Sequence, residues 1–370
     1  MKIGVPKEIK PQEFRIGMTP NAVFEAVSKG HTVVVEKNGG MGAGFSDTDY
    51  VTAGAQIVDT ASEIFADSDM IVKVKEPQAV ERKMLREDQI LFTYLHLAPD
   101  PEQTKDLLES DATCIAYETV TDNSGGLPLL APMSEVAGRL APQVGSWTLQ
   151  KANGGRGVLM GGVPGVAPAN VVVIGGGVVG THAAKIAAGM GADVTVLDRS
   201  LNRLRYLDDV FGRTFKNQFA SAATTAELVS KADLVIGAVL IPGAAAPKLV
   251  TKEQLSSMKP GAAIVDVAID QGGCFETSKA TTHADPIYEV DGIMHYCVAN
   301  MPGAVARTST LALGNATLPF LLSIANNGWA EACRLDQNLL NGLNVHAGKL
   351  TCRAAGEALG IKTVEAKSLI

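Results

Sequence analysis

The sequence predicts an α/β protein built from two doubly wound, Rossmann-like domains, one inserted into the other. Three observations lead to this fold class. Short apolar runs alternate with helical patterns of about ten residues, the alternation occurs in two separate series, and a long helical pattern follows each series. At 370 residues the chain is long enough for two domains of ordinary size.

The first series starts at Lys2 and predicts a largely parallel sheet. We expect its strands in KIGVP, HTVVVEK, MIVKVK, QILFTYLHLA and TCIAYETV. We expect its helices in PNAVFEAVSKG, ASEIFADS, AVERKML and PEQTKDLLES. A long helical pattern from Pro132 to about Ala152 then leads the chain out of this domain.

The second series starts at Asn170 and has the order of a doubly wound sheet. Its strands are expected in VVVIGG, DVTVLD, DLVIGAVL, AAIVDVA and HYCVAN. A second long helical pattern, TSTLALGNATLPFLLSIANNG, and a polar helical tail to Ile370 follow. Because long helices bracket this series, we predict an inserted domain of residues 131–305 and a discontinuous domain of residues 1–130 and 306–370.

Composition excludes several classes of partner. The net charge is −7, and without any run of Lys or Arg the chain offers no basic surface for nucleic acid or an anionic membrane. The five cysteines are far apart and form no CxxC pair, which predicts neither a disulfide framework nor a metal site. The N-terminal MKIGVPKEIKPQEFR is charged, and no uninterrupted apolar run reaches membrane-spanning length, so we expect a cytoplasmic protein.

A glycine-rich turn is the strongest local signal. Gly175, Gly177 and Gly180 form G-x-G-x-x-G between an apolar strand and an Ala-rich helix, and Asp198 ends the next strand. The glycines allow a tight turn and a close approach to pyrophosphate, and the helix N-terminus favours negative charge. Asp198 would accept hydrogen bonds from a ribose and disfavour a 2′-phosphate, which predicts NAD, although Arg199 leaves an opening for NADP.

Four polar residues follow predicted strands at the ends where ligands bind in open α/β sheets. Arg15 follows the first strand, Lys75 closes IVKVK, His96 closes QILFTYLHLA, and Asp270 follows AAIVDVAI. Each also has a structural interpretation: Arg15 as a surface charge, the lysines as protection of an edge strand, His96 as a hydrogen-bonded structural residue, and Asp270 as a turn cap. Lys73, which shares a strand face with Lys75, is expected to be a solvated neighbour.

A cleft between the two domains would bring these four residues together beside a nicotinamide. That combination suits removal of hydrogen from a carbon that bears an amine or hydroxyl in a small carboxylate substrate. Arginine would bind the carboxylate, lysine would hold a carbonyl oxygen, and histidine or aspartate would transfer protons. The sequence therefore predicts an oxidoreductase.

With these residues in place, the whole chain resembles the alanine dehydrogenases. The resemblance rests on strings that are unlike generic Rossmann sequence, among them MKIGVPKEIKPQEFR, LAPMSEVAGR, DLVIGAVLIPGAAAPKLV, VDVAIDQGGCFETS and HYCVANMPGAVARTST. It implies NAD-linked oxidative deamination of L-alanine to pyruvate and ammonium, run in reverse as reductive amination. Arg15 and Lys75 would hold the substrate, and His96 and Asp270 would be the catalytic proton-transfer pair.

The resemblance also implies a homohexamer and a set of cofactor contacts. Lys279 stands where an arginine is familiar, and FKNQFASA around Ser221 departs from the pattern, so no contact is assigned there. The implied NAD-binding residues are Ser134, Gly175, Gly177, Val178, Val179, Gly180, Asp198, Arg203, Val239, Leu240, Val267, Ile269, Asp270, Lys279, Val298, Asn300 and Met301.

Three alternatives stay open at this point. The first is an NAD-binding component resembling a proton-translocating transhydrogenase, with no amino-acid substrate; the four polar residues, and an end at Ile370 without a membrane segment, count against it. The second is a saccharopine-type dehydrogenase, which would need a wider cleft. The third is a catalytically silent NAD-binding protein.

Overall fold

The computed structural model describes residues 1–239 and 246–370. The chain folds into two compact units, one of Met1–Met133 with Val305–Ile370 and the other of Ser134–Ala304. The sequence predicts breaks after residues 130 and 305, whereas the units break after Met133 and Ala304. The expected fold class, two Rossmann-like α/β sheets, is confirmed.

The first unit begins with strands and helices in alternation. Helix α1 begins where the sequence predicts, because the Thr19 hydroxyl accepts the Ala22 N–H at 3.2 Å and Pro20 occupies the first position. The elements are β1 (Lys2–Val5), α1 (Pro20–Ser28), β2 (Thr32–Glu36), α2 (Asp47–Thr52), β3 (Gln56–Val58), α3 (Ala61–Asp67), β4 (Met70–Val72), α4 (Ala79–Arg82), β5 (Ile90–Thr93), α5 (Pro101–Glu109) and β6 (Thr113–Ala116).

The second unit carries the second sheet. Within the described residues this sheet has seven strands in the order β12-β13-β11-β10-β7-β8-β9, and only the β12–β13 pair is antiparallel. The elements are α6 (Ala131–Thr148), which starts in the first unit, β7 (Asn170–Ile174), α7 (Val178–Gly189), β8 (Asp193–Asp198), α8 (Leu201–Phe211), β9 (Lys216–Phe219), α9 (Ala222–Lys231), β10 (Leu234–Gly237), α10 (Lys252–Ser256), β11 (Ala263–Asp266), β12 (Ile287–Val290) and β13 (Ile293–Tyr296).

The C-terminal segment completes the first unit. It contains α11 (Ala306–Asn327), α12 (Trp329–Leu335), α13 (Gln337–Leu340), β14 (Leu343–His346), β15 (Lys349–Leu350) and α14 (Arg353–Leu359). The prediction of an entirely helical tail is wrong, because β14 and β15 form a hairpin that extends the first sheet to the order β15-β14-β6-β5-β4-β1-β2-β3. Ala347 and Gly348 turn this hairpin with positive φ angles of 46° and 71°, without the Asn-Gly pair that would signal it.

The segment Met301–Asn327 is long and apolar enough to cross a membrane by length and composition alone. The prediction that no such stretch exists considered uninterrupted apolar runs, whereas this segment passes as an average over a window that includes polar residues. In the structure 44% of its most apolar window is buried. A helix in the core of a folded unit can have the same length and apolar composition.

The second sheet depends on apolar packing beneath it. Phe275 is fully buried in a cluster with Val250, Leu255 and Ile264, whereas Phe219 on edge strand β9 is 49% exposed. We expect Phe275→Ala to lower the free energy of unfolding by about 3–5 kcal/mol, because it leaves a cavity. Phe219→Ala is the matched control and should change it by about 0.5 kcal/mol or less.

Urea unfolding followed by circular dichroism measures both variants. Equal destabilisation by the two substitutions would contradict this account of the core.

Candidate active site

The turn between β7 and α7 can be built only with glycine at two positions. Gly175 has φ +102°, and a Cβ atom there would lie 2.8 Å from the carbonyl oxygen of Ala238. A Cβ atom on Gly180 would lie 1.7 Å from the carbonyl oxygen of Gly175. Gly177, the N-cap residue of α7, faces open space instead, with nothing within 4 Å of its Cβ position. The turn therefore packs tightly on one side and is open on the other.

The open side has the properties of an anion site. No side chain caps the first turn of α7, so the backbone N–H groups there and the helix dipole are available to a phosphate. The Asp198 carboxylate at the end of β8 accepts the Gly176 N–H and the Ser200 N–H, both at 2.7 Å. Arg203 donates to the Gly176 carbonyl and, at 2.7 Å, to the Thr181 hydroxyl. These residues fit a dinucleotide.

Most other predicted cofactor residues follow strands of the same sheet. Because the strands β7, β8, β10, β11 and β13 are parallel, their carboxyl ends share one edge. The strand order reverses between β10 and β7, the kind of position where nucleotides bind. The predicted residues that follow these strands are Val239 after β10, Val267, Ile269 and Asp270 after β11, and Val298, Asn300 and Met301 after β13.

Two predicted cofactor residues lie elsewhere in the described part of the chain. Ser134 is on α6, the first residue of the second unit. Lys279 is exposed, and its backbone N–H donates to the Tyr288 hydroxyl at 2.7 Å. Leu240 lies outside the described residues.

Asp270 lies on a short 3-10 turn, and its carboxylate is exposed. The carboxylate accepts the Asn300 N–H at 3.3 and 3.4 Å, so it joins two segments of the sheet edge. Asp266, which the sequence analysis missed, holds the loop that contains Asp270 through the Ala268 N–H at 3.1 Å and the Cys274 N–H at 2.8 Å. Burial raises the pKa of Asp266, and these bonds lower it, with a net rise. The sequence signal for Asp266 was an acidic residue inside the apolar run AAIVDVA.

Arg15, Lys75 and His96 come from three adjacent strands of the first sheet. They follow β1, β4 and β5, which are neighbours in the order β5-β4-β1 and are parallel. The segments that carry Arg15, Lys75 and His96 therefore leave the sheet at the same edge, as expected from their positions after three predicted strands.

Arg15 is buried, with 2% exposure, so its interpretation as a surface charge is wrong. Glu13 binds it through two guanidinium bonds, Nε to Oε1 at 2.7 Å and Nη2 to Oε2 at 2.6 Å. Nη1 lies 3.1 Å from the Met133 sulfur. Burial lowers the pKa of Arg15, but the Glu13 carboxylate outweighs it and the pKa rises. Arg15 therefore stays charged.

Lys73 and Lys75 do not belong to an edge strand. Strand β4 ends at Val72 and lies between β1 and β5. The expectation that Lys73 is solvated is wrong, because its side chain is fully buried and paired with Glu8 at 3.1 Å and Glu81 at 2.7 Å. Burial by itself lowers the pKa of Lys73, but the Glu8 and Glu81 carboxylates raise it by more, so the net shift is upward. Lys75 is partly buried.

His96 has an exposed ring on a left-handed backbone, with φ +51°. This conformation is costly for a residue with a Cβ atom, and here the Glu118 carboxylate holds it. Glu118 accepts the His96 N–H at 2.6 Å and the Leu95 N–H at 3.1 Å. The Tyr94 ring lies 5.7 Å from the His96 ring. Burial raises the pKa of the Tyr94 hydroxyl. Sequence reasoning missed both Glu118 and Tyr94.

In residues 1–239 and 246–370 no three or more His, Cys, Asp or Glu side chains cluster in a way that could hold an ion.

The fold and the glycine turn together define a class: a two-unit α/β protein with a Rossmann-type dinucleotide site. Models of two domains match the chain, "Alanine dehydrogenase/PNT, N-terminal domain" over residues 4–137 and "Alanine dehydrogenase/PNT, C-terminal domain" over residues 141–353. The chain belongs to the alanine dehydrogenase/PNT family.

Curated relatives match over their full length. The chain is 60% identical to an alanine dehydrogenase of Halomonas elongata and 52% identical to one of Mycolicibacterium smegmatis, each over 100% of both chains. A solved L-alanine dehydrogenase has a TM-score of 0.94 and 51% identity, covering 97% of this chain and 99% of that one. A transhydrogenase from Sinorhizobium meliloti has a TM-score of 0.82 and 27% identity, covering 96% and 100%.

Two glycines of α7 offer a matched test of the dinucleotide site. Gly180→Ala places a methyl group against the Gly175 carbonyl and must displace the turn. Gly189 is in the same helix, and its Cβ position has nothing within 4 Å. We expect Gly180→Ala to weaken NADH binding roughly tenfold or more, since the phosphate-binding turn moves. Gly189→Ala should leave it unchanged.

Titration of NADH fluorescence measures both affinities. Normal NADH binding by Gly180→Ala would contradict the assignment of this turn.

Proposed function

We propose that the protein is an NAD-dependent L-alanine dehydrogenase, which catalyses reversible oxidative deamination of L-alanine to pyruvate and ammonium. One observation carries the proposal: Arg15, Lys75 and His96 leave one edge of the first sheet in a chain whose full-length relatives are named alanine dehydrogenases. An arginine, a lysine and a histidine together suit a small substrate with a carboxylate and a carbonyl.

The NAD site is proposed at the turn after β7. The backbone N–H groups of Gly177, Val178 and Val179 would bind the pyrophosphate, and Asp198 would bind the adenosine ribose. When bound, NAD supplies a two-electron acceptor for the hydrogen on the substrate α-carbon. Asp198 is itself fixed by two backbone N–H groups, and its charge opposes a 2′-phosphate. We propose further contacts from Ser134, Gly175, Gly180, Arg203, Val239, Leu240, Val267, Ile269, Asp270, Lys279, Val298, Asn300 and Met301.

Arg15 and Lys75 are the proposed substrate-binding residues. Glu13 occupies the Nε–Nη2 edge of the Arg15 guanidinium and so fixes its plane. A guanidinium suits a substrate carboxylate, because the two groups match in charge and in their planar geometry. The Lys75 ammonium would hold the carbonyl oxygen of pyruvate and stabilise the negative charge that develops on it.

His96 and Asp270 are the proposed proton-transfer residues. Both are exposed, so each can reach a substrate and a water molecule. His96 would move protons to and from the nitrogen or oxygen on the α-carbon, because histidine is the most frequent general acid–base group in enzymes. Asp270, held by the Asn300 N–H, would orient the attacking water.

The first experiment is to measure NADH formation from NAD with purified protein and a panel of L-alanine, D-alanine, L-lactate, L-lysine and no substrate. We expect reduction of NAD with L-alanine alone. Oxidation of NADH in the presence of both L-lysine and a keto acid would instead favour a saccharopine-type enzyme, because joining the two consumes hydride.

We expect His96→Ala to lower turnover by roughly 100- to 10,000-fold, the usual contribution of a general acid–base group. NADH affinity should stay normal, because His96 is in the first unit and the glycine turn is in the second. His31→Ala is the control, since His31 follows α1 and its ring hydrogen-bonds to the N-terminal amine of Met1 and to the Asn326 side chain. Steady-state kinetics with L-alanine would remove His96 from the mechanism if turnover were unchanged.

The transhydrogenase match supports a second candidate, an NAD-binding component without an amino-acid substrate. The substrate panel separates the two, because this component would bind NADH and leave NAD unreduced with every substrate. The lower identity of 27%, against 51% to the solved L-alanine dehydrogenase, makes it the less favoured candidate.

We also propose a cytoplasmic homohexamer. The support is the resemblance to the alanine dehydrogenases, and exposed apolar side chains on the first unit, Phe24 at 60% and Val51 at 55%, are available to an interface. Light scattering should give a mass six times that of the 38.6 kDa chain. A monomer at micromolar concentration would contradict the assembly.

A further inference from the structure

A buried ion triad lies directly before the proposed substrate ligand Lys75. Glu8 comes from the loop after β1, Lys73 follows β4, and Glu81 is on α4. Lys73 Nζ lies 3.1 Å from Glu8 Oε2 and 2.7 Å from Glu81 Oε1, and the three side chains are 0–2% exposed. The triad therefore joins three segments in the protein interior.

The triad is an inefficient way to obtain stability. Taking two carboxylates and one ammonium out of water is costly, and well-packed apolar side chains often stabilise such a place as well or better. Burial raises the pKa of Glu8, and Lys73 and the Val74 N–H lower it, with a net rise. A buried ionic group of this kind is better explained by what it positions.

Glu8 holds the backbone of Lys75 itself. Its Oε1 accepts the Val74 N–H at 2.6 Å and the Lys75 N–H at 3.3 Å, while Oε2 faces Lys73. On the other side the Lys75 carbonyl accepts the Thr93 hydroxyl at 3.0 Å. Both backbone groups of Lys75 are thus fixed, although β4 ended at Val72.

Glu81 differs from Glu8 in one respect that makes it a control. It binds the same ammonium, but its second oxygen accepts the Gln78 N–H at 2.7 Å, within the capping box of α4. The Glu81 carboxylate thus bonds to Lys73 and Gln78, whereas the Glu8 carboxylate also accepts the Lys75 N–H.

We propose that Glu8 is a positioning residue for Lys75: the carboxylate, held by Lys73, fixes the backbone from which the Lys75 ammonium reaches the keto-acid substrate. The inference rests on the substrate role proposed for Lys75. Glu8 does not touch the substrate, so it acts on substrate affinity and not on the nucleotide.

The test compares Glu8→Gln with Glu81→Gln, each of which removes one negative charge from the same ammonium. For Glu8→Gln we expect KM for pyruvate to rise roughly tenfold or more, because misplaced binding groups lose much of their effect. For Glu81→Gln we expect KM for pyruvate within about threefold of the wild type, and NADH affinity should be normal in both. An equal rise of KM in the two variants would overturn the proposal, because loss of charge alone would then explain it.

A double-mutant cycle with Lys75→Ala supplies a readout that a purely structural role would not move. If Glu8 acts through Lys75, Glu8→Gln should cause no further loss of kcat/KM in the Lys75→Ala background. Independent losses that add in the double variant would overturn the proposal. If Glu8→Gln does not fold, as judged by circular dichroism, Glu8→Asp replaces it: the charge stays, the reach is shorter, and the same rise of KM is expected.

A measurement without turnover separates this inference from the proposed function. The rate at which acetic anhydride labels Lys75, measured by peptide mass spectrometry, should change in Glu8→Gln and stay at the wild-type rate in Glu81→Gln. If the wild type fails to oxidise L-alanine, the proposed function fails while this rate still tests the contact. If the wild type is active and Glu8→Gln changes neither KM nor the labelling rate, the positioning role is wrong.

Discussion

Buried or partly buried carboxylates that accept backbone N–H groups hold the chain at the points where it leaves the strands. Glu8 does this for the segment after β4, Glu118 for the segment after β5, and Asp266 for the segment after β11. Beyond a strand the sheet ladder no longer supplies an acceptor, and an unsatisfied buried N–H costs about 1–3 kcal/mol. A carboxylate has enough acceptor sites to bind several N–H groups at once, so one side chain fixes several consecutive residues. The rest of the candidate site depends on these hydrogen bonds between carboxylates and the backbone.

The same constraint explains how a strained conformation persists at His96. A left-handed backbone costs of order 1–3 kcal/mol outside glycine and lasts only where its surroundings over-determine it. Glu118 provides this stabilisation, because its carboxylate accepts charge-assisted hydrogen bonds from the consecutive N–H groups of Leu95 and His96. The nucleotide turn meets its own steric constraint differently, by removing the side chain at Gly175 and Gly180, while Asp198 ties the turn to β8. The candidate substrate site thus holds its backbone with carboxylates, whereas the candidate cofactor site relieves its steric constraint with glycine.

The errors in the sequence-based account share a physical cause. Charge was interpreted as exposure at Arg15 and Lys73, yet both are buried because each meets a carboxylate. Charged groups are almost never fully buried unless they are paired, and Glu8 lies 65 positions from Lys73 along the chain. Strand periodicity shows which face a residue occupies and does not show which distant loop covers that face. The β14–β15 hairpin was missed for a related reason, because its two short strands depend on pairing with β6.

The sequence by itself determined the features that local chemistry dictates. Alternating apolar runs specified two α/β sheets, the spacing of three glycines specified the dinucleotide turn, and the residues after each strand specified the candidates Arg15, Lys75, His96 and Asp270. Only the tertiary structure decided how those candidates are held. Glu13, Glu118 and Asp266 become anchors because folding removes water and leaves each carboxylate beside N–H or guanidinium groups that need an acceptor. That outcome depends on burial, and for Glu118 on a contact with a residue 22 positions away, and no local pattern contains either.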